Sequence, residues 1–257
     1  GSDSSWTAAQ KDLFDAGLFY SRTPLGLSAT QVSSDITSTE ADALAISFSP
    51  DLREAEVIAK QPFTIEIGHG LTETVVLHET AVYRLGRERW LLSPPDNEFW
   101  GSQSSHQGSR LRLSTPERDA DIAARLLPDL ERKLDEMCQS LAEINCPSDL
   151  TVEIQFSSDP ATLAATKRPL VAEQSGGVLR VNLPAPTLIG IPIDEPGYQA
   201  LFRGYATQLI SAVISHLVDF SGRRLCSLLV ALSSDCWRTV QVSRTITSAS
   251  SAWGVSL

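Results

Sequence analysis

The spacing of apolar residues changes once along this sequence, and that change constrains the fold more than any other feature. Between residues 44 and 92 apolar and polar residues alternate, as in segments 44–48 and 63–67, which is the period of a half-buried strand. Glycines at 68 and 70 mark a turn between two such strands. From residue 116 onward apolar residues recur every three to four positions, as in a helix. The sequence predicts an α+β fold, with an N-terminal curved antiparallel sheet with a helix, followed by a helix-rich α+β domain.

The change of period also predicts a domain boundary. Pro94 and Pro95 end the alternating segment, and the chain to Gly108 is polar, which favours a connection without regular structure. A helix is expected to follow Thr115, whose hydroxyl can cap it. We therefore predict two domains, residues 1–100 and residues 101–257.

Two long helices are predicted in the second domain, one with an apolar stripe from Ile122 to Ile144 and one over residues 194–220. Pro128 is expected to kink or divide the first helix. Strands are predicted at 150–156 and 177–183. The acidic pairs Asp119 with Asp121 and Asp194 with Glu195 are interpreted as helix-start acids that favour the helix dipole.

Charge limits the partners of the chain. The sequence has 31 acidic and 21 basic residues, a formal net charge of −10, and such a surface repels polyanions. We expect no nucleic-acid partner. No stretch approaches the roughly 20 apolar residues of a membrane span, so this fragment is expected to make no membrane contact, although its parent could carry an anchor elsewhere. The partner, a protein or a small ligand, is unknown.

Cysteine spacing predicts the compartment. Cys138 lies near Cys146, and Cys226 lies near Cys236, so two short disulfide loops are expected, which would place the chain outside the cytoplasm, in the cell envelope or secreted. Free buried thiols in a cytosolic protein are the alternative.

Catalytic and metal-binding motifs are missing from the sequence. The four histidines occur in separate segments, at His69, His78, His106 and His216, and none has the spacing of a zinc motif. The sequence contains no Gly-x-Ser-x-Gly elbow and no phosphate loop. We therefore predict no catalytic residue, no metal ligand and no cofactor.

Aromatic residues at the end of the first domain are the candidate ligand-binding residues. Tyr83, Trp90 and Trp100 could present ring faces to a sugar or a peptide. The alternative is that they pack in the junction between the domains.

Several segments carry a family resemblance. Residues 79–84, 89–95 and 99–101 resemble the membrane-distal region of envelope proteins found in filamentous green bacteria, and the first domain resembles cystatin- or NTF2-like sheets. Segments 116–119, 182–186 and 200–206 are similar to a peptidase-MA-like, gluzincin-related domain. The helix of such a peptidase would carry His-Glu-x-x-His, whereas this sequence has Thr207-Gln208-Leu209-Ile210-Ser211. The resemblance thus implies a degenerate peptidase-like scaffold without its chemistry.

The leading hypothesis is a non-catalytic extracytoplasmic sensing or protein-interaction domain on this degenerate scaffold. Two alternatives stay open. One is a hydrolase with an inter-domain site that has no sequence signature, for which Asp96, Glu98 and His106 are candidates. The other is a carbohydrate- or peptide-binding module at Trp90 and Trp100.

Overall fold

Two β-sheets and several helices make up the computed structural model, which describes residues 22–30, 44–140, 150–166, 173–175 and 178–217. The chain divides into two compact units, residues 1–214 and 215–257. Both sheets belong to the first unit. The predicted α+β class is confirmed, because a strongly curled antiparallel half-barrel sheet is followed by helices.

The first sheet is built on a long hairpin. Strands β3 (Glu54–Gly68) and β4 (Leu71–Leu85) pair antiparallel over almost their whole length. They join at the predicted turn, where Gly68, His69 and Gly70 all have positive φ. Strands β1 (Ser28–Ala29) and β2 (Leu44–Phe48) pair with β3, whereas β5 (Trp90–Ser93) and β11 (Ile191–Pro192) pair with β4.

The second sheet is mixed, with the strand order β6-β7-β8-β10-β9. Its strands are β6 (Gln103–Gln107), β7 (Leu111–Pro116), β8 (Thr151–Ser157), β9 (Glu173–Ser175) and β10 (Val178–Pro184). The central pairs β7 with β8 and β8 with β10 are parallel, and the two outer pairs are antiparallel.

Helices fill the connections of the second sheet and continue after it. They are α1 (Asn97–Trp100), α2 (Ala120–Ser140), α3 (Ala161–Ala165), α4 (Pro186–Ile189) and α5 (Glu195–Leu217). Short 3₁₀ turns cover Thr23–Leu25 and Glu117–Asp119. Asp194 caps α5 as its position suggested, since its Oδ1 accepts a hydrogen bond of 2.8 Å from the Gly197 amide.

The core of the second sheet lies on its α2 face. Leu113, Ile154 and Val181 occupy one register row across β7, β8 and β10, and all three are buried. The predicted stripe of α2 supplies the opposing layer, with buried Leu126, Leu130 and Leu134. This packing explains why the amphipathic pattern was recognisable in the sequence.

Two local predictions are wrong, and one half of a third is excluded. The stretch 94–108 is not an irregular connection, because it contains α1 and the paired strand β6. Thr115 does not cap a helix: it belongs to β7, and its buried Oγ1 has no hydrogen-bond partner among the described residues. Pro128 does not divide the first helix, since α2 runs through it, and the alternative of a kink stays a prediction.

The predicted boundary between residues 100 and 101 coincides with the change from the first sheet to the second. The chain nevertheless returns to the first sheet through β11, which pairs with β4 at His78 and Leu77. The division into two domains therefore stays a prediction.

Candidate functional site

An apolar surface covers one face of the curled first sheet. Register places Phe48, Ala55 and Tyr83 side by side on that face, since directly paired residues of adjacent strands share a face. Alternation along the strands adds Leu44 and Ile46 of β2 and Trp90 of β5 to the same face. We call the group Leu44, Ile46, Phe48, Tyr83 and Trp90 the apolar cup.

The cup is exposed although its residues are large and apolar. The exposed fractions are 48% for Leu44, 51% for Ile46, 54% for Phe48 and 38% for Trp90. Further along the same face Phe63 and Leu77 are completely buried. The cup is therefore the exposed end of a face whose other end belongs to the core, and the ion pair between Glu79 and Arg22 lies between the two apolar parts.

The curl of the sheet makes this surface concave. Phe48 and Trp90 belong to strands on opposite sides of the β3–β4 hairpin, and such strands lie about 14 Å apart in a flat sheet. Their ring centroids are only 5.8 Å apart, with the planes tilted by 55°. Ala55 sits between β2 and β4 and is buried. Its small side chain leaves room for the two rings to approach each other.

The opposite face of the same sheet carries charged residues that tie it to the rest of the molecule. Arg84 bonds Glu54 at 2.8 Å and Asp96 at 2.7 Å, which joins β3 and β4 to the cap of α1. Arg118 pairs with Glu56 and lies 3.9 Å from the Phe99 ring centroid. These contacts fix the sheet from behind and leave the cup open in front.

The three aromatic residues singled out in the sequence do not form one site. Trp90 is partly exposed, and Tyr83 is half-buried on the same face. Trp100 is 5% exposed, and its ring packs against Phe99 at 5.0 Å. The geometry therefore brings Tyr83 and Trp90 together and assigns Trp100 to the interior.

Sequence reasoning missed the contribution of β2. The segment 44–48 was recognised as a strand but not as part of a surface. Its signal is the alternation of three large apolar residues with Ala45 and Ser47 in a strand without a charged residue. Only the register with β3 shows that these side chains continue the Tyr83 face.

Among the candidate residues for hydrolysis, Asp96 has structural partners. Asp96 caps α1 by accepting from the amides of Glu98 at 3.0 Å and Phe99 at 3.1 Å, and it also binds Arg84. His106 lies on β6 opposite Leu113, and its buried Nε2 has no partner among the described residues. In the part of the chain that the structure describes, no group of three or more His, Cys, Asp or Glu side chains could hold a metal ion.

Asp119 has a different role from the one that its position suggested. Its side chain is completely buried, and Oδ1 accepts from the hydroxyl of Thr187 at 2.6 Å and from its amide at 3.1 Å. Oδ2 has no hydrogen-bond partner among the described residues. Burial raises the pKa of this carboxyl from 3.8 to about 6. The residue thus fixes the start of α2 to α4, which makes it more than a helix-dipole acid.

The described residues do not test the two predicted disulfide pairings. Cys138 lies at the end of α2 and is disulfide-bonded. Cys146, Cys226 and Cys236 lie outside the described residues, so both pairings and the extracytoplasmic location stay predictions. No described helix has the length and apolar character of a membrane span.

Comparisons with known proteins do not assign a function to this chain. No protein-family model, no curated protein and no solved structure matches this chain. The resemblance to peptidase-MA-like and cystatin- or NTF2-like domains therefore stays a prediction.

Proposed function

We propose that this chain is a non-catalytic protein-interaction module whose apolar cup binds an apolar segment of a partner protein. The observation that carries the proposal is the gathering of Leu44, Ile46, Phe48 and Trp90, all exposed, on one concave face. Large exposed apolar patches on folded proteins are typical of interaction sites. Ion pairs of Arg84 and Arg118 on the opposite face join the sheet to α1 and to the turn before α2.

The chemistry of the cup favours apolar side chains over a sugar. Sugar hydroxyls need hydrogen-bonding partners when they are desolvated, and among the five cup side chains only the Tyr83 hydroxyl and the Trp90 ring N–H are polar. A flat sugar ring also stacks best on a flat aromatic surface, whereas Phe48 and Trp90 are tilted by 55°. Leucine, isoleucine and aromatic side chains of a partner would fit this concavity without unpaired polar groups.

We infer that the chain serves its parent protein as a sensing or binding domain on a peptidase-like scaffold that lacks peptidase chemistry. An extracytoplasmic location belongs to this proposal, and it is supported by the spacing of the four cysteines in the sequence. The partner would then be another protein of the same compartment.

Selection from a library of random linear peptides tests the cup. We expect the selected peptides to be rich in apolar residues and to bind about 10- to 100-fold more weakly to Ile46→Asp, because burying one such side chain contributes about 1.5–3 kcal/mol. Trp90→Ala should weaken binding to a similar degree. Binding would be measured by titration calorimetry.

Ile193→Asp is the matched control, because Ile193 is also exposed, at 42%, but lies outside the cup next to β11. This variant should bind the selected peptides like the parent chain. Thermal unfolding of each variant separates loss of binding from loss of fold. Selected peptides that bind Ile46→Asp and Trp90→Ala as tightly as the parent chain would refute the proposal.

A further inference from the structure

The outer edge of β2 offers backbone groups for pairing. Within the described residues β2 pairs only with β3, and all its residues are exposed. Just past its end, the Ser49 amide donates to the Glu54 carbonyl at 2.9 Å. Hydrogen-bonded residues alternate along an antiparallel strand. Ala45 and Ser47 therefore direct their backbone groups to β3, and Leu44, Ile46 and Phe48 direct theirs outward.

This edge lacks the protection that exposed edges usually have. Natural edge strands carry charged side chains or prolines that prevent pairing with another chain. Segment 44–49 has neither. Pro50 and Asp51 follow this segment, beyond the residues that pair with β3. An apolar, uncharged edge of this kind is expected to be covered by another strand.

We propose that β2 is an interface between two copies of this chain, in which β2 pairs antiparallel with β2 of the second copy about Ile46. In this register Ile46 lies opposite Ile46 and Leu44 lies opposite Phe48. Ala45 lies opposite Ser47 on the other face. Every large side chain meets an apolar one, and no charge meets a like charge.

Self-complementarity is the reason to choose a second copy as the occupant. A twofold axis through Ile46 uses the same strand on both sides and closes the assembly as a dimer. A strand of another protein would have to match the edge without this symmetry. The two first sheets would become one continuous sheet with both cups on the same side. The concave faces therefore stay open, although Leu44, Ile46 and Phe48 belong to both the cup and the edge, and only Trp90 and Tyr83 belong to the cup alone.

The dimer is expected to be weak and strengthened by salt. A five-residue strand buries little surface when it pairs, compared with the roughly 800 Å² per partner of a standard interface. Each copy also carries a formal charge of −10, and salt screens the repulsion between like charges. Sedimentation equilibrium should show a monomer–dimer equilibrium that shifts toward the dimer as sodium chloride is raised.

Cysteine substitution tests the register directly. Residues at a hydrogen-bonded pair have Cα atoms about 5.5 Å apart, within the roughly 4.4–6.8 Å that a disulfide spans. Ile46→Cys in the 257-residue chain should therefore form a covalent dimer under mild oxidation. Ser47→Cys is the matched control, because in this register residue 47 faces residue 45 of the second copy. It should cross-link at least about tenfold more slowly.

Two results would overturn the proposal. One is a parent chain that stays monomeric at millimolar concentration in high salt, and the other is equal cross-linking of Ile46→Cys and Ser47→Cys. Ile46→Lys should abolish dimerisation with an unchanged melting temperature, since the position is exposed. A dimer that persists in this variant would also exclude β2 as the interface between the two copies.

A double variant separates the two proposals. Trp90→Ala combined with Ile46→Cys should still cross-link, because Trp90 lies on the face of β5 and not on the edge of β2. Failed cross-linking with intact peptide binding by the parent chain would remove only the dimer. Cross-linking without peptide binding by the parent chain would remove only the cup function.

Discussion

Asp119 shows at the scale of one residue how the start of α2 is held to α4. Its carboxylate accepts two hydrogen bonds from Thr187, and its charge acts on Tyr205. Tyr205 is itself buried and donates to the Pro184 carbonyl at 2.8 Å. Burial raises the pKa of the tyrosine, with the Asp119 charge as the smaller cause. Burying the Asp119 side chain costs more free energy when its carboxyl group is ionised than when it is protonated.

Folding stability should depend on the ionisation of Asp119. Burial raises its folded pKa from 3.8 to about 6, so between these values the folded chain holds a proton that the unfolded chain has lost. Stability therefore falls as pH rises through this window, by up to roughly 3 kcal/mol for two pKa units, and this group adds no change above about pH 7.

Asp119→Asn tests this dependence, because the amide oxygen can still accept from Thr187 and the group cannot ionise. Relative to the parent chain, the free energy of unfolding of this variant should rise by about 2–3 kcal/mol from pH 4 to pH 7. Denaturant unfolding across this range would measure it. Asp121→Asn, at an exposed position in the first turn of α2, should keep the profile of the parent chain. Parallel profiles for Asp119→Asn and the parent chain would contradict the assigned pKa.

At the scale of elements, the sequence predicts what periodicity and turn residues encode. The hairpin turn, the stripe of α2 and the start of α5 at Asp194 are local features, and all three occur in the structure. Strand β6 was missed because Gln103–Gln107 contains no large apolar residue and is held by pairing with β7. The exposed face of β2 could not be predicted either, since exposure depends on whether a distant segment covers it.

Helix α5 packs closely against the turn at residues 23–25. A Cβ added at Gly204 would lie 2.7 Å from the carbonyl oxygen of Leu25. Beside it, the Gln208 side-chain amide donates to the Pro24 carbonyl at 2.8 Å. Helix and turn therefore approach each other through backbone, which only a glycine permits here.

Gly204→Ala should destabilise the chain although alanine favours helices. Overpacking costs typically about 1–3 kcal/mol, which exceeds the roughly 1 kcal/mol that alanine gains over glycine inside a helix. We expect a net loss of about 1–2 kcal/mol in the free energy of unfolding, measured with urea. Arg203→Ala, at the exposed neighbouring position, should change it by less than about 0.5 kcal/mol. A more stable Gly204→Ala would show that the helix can shift away from the turn.

At the scale of the whole unit 1–214, the first sheet depends on residues far along the chain. Arg22 forms an ion pair with Glu79 at 2.9 Å and donates to the carbonyls of Leu188 at 3.0 Å and Ile189. Strand β11 adds to β4, and Gly190 packs against Leu77. A pattern along the sequence cannot reveal these contacts, because the paired residues lie far apart in the chain, up to 167 positions for Arg22 and Ile189.

Residues 1–100, the predicted first domain, are therefore expected not to fold alone. Without residues 101–214 the fragment lacks β11, α4 and α5, so Leu77 loses the backbone packed against it and Arg22 loses its carbonyl partners. Arg22 keeps its ion pair with Glu79 in the fragment, but losing the two carbonyls that accept from a buried side chain is itself destabilising. We expect poorly dispersed amide resonances for the fragment, and for the first unit of the intact chain a single unfolding transition shared by probes in both sheets. A fragment with native dispersion and its own cooperative transition would instead show that the boundary between residues 100 and 101 separates two independently folding domains.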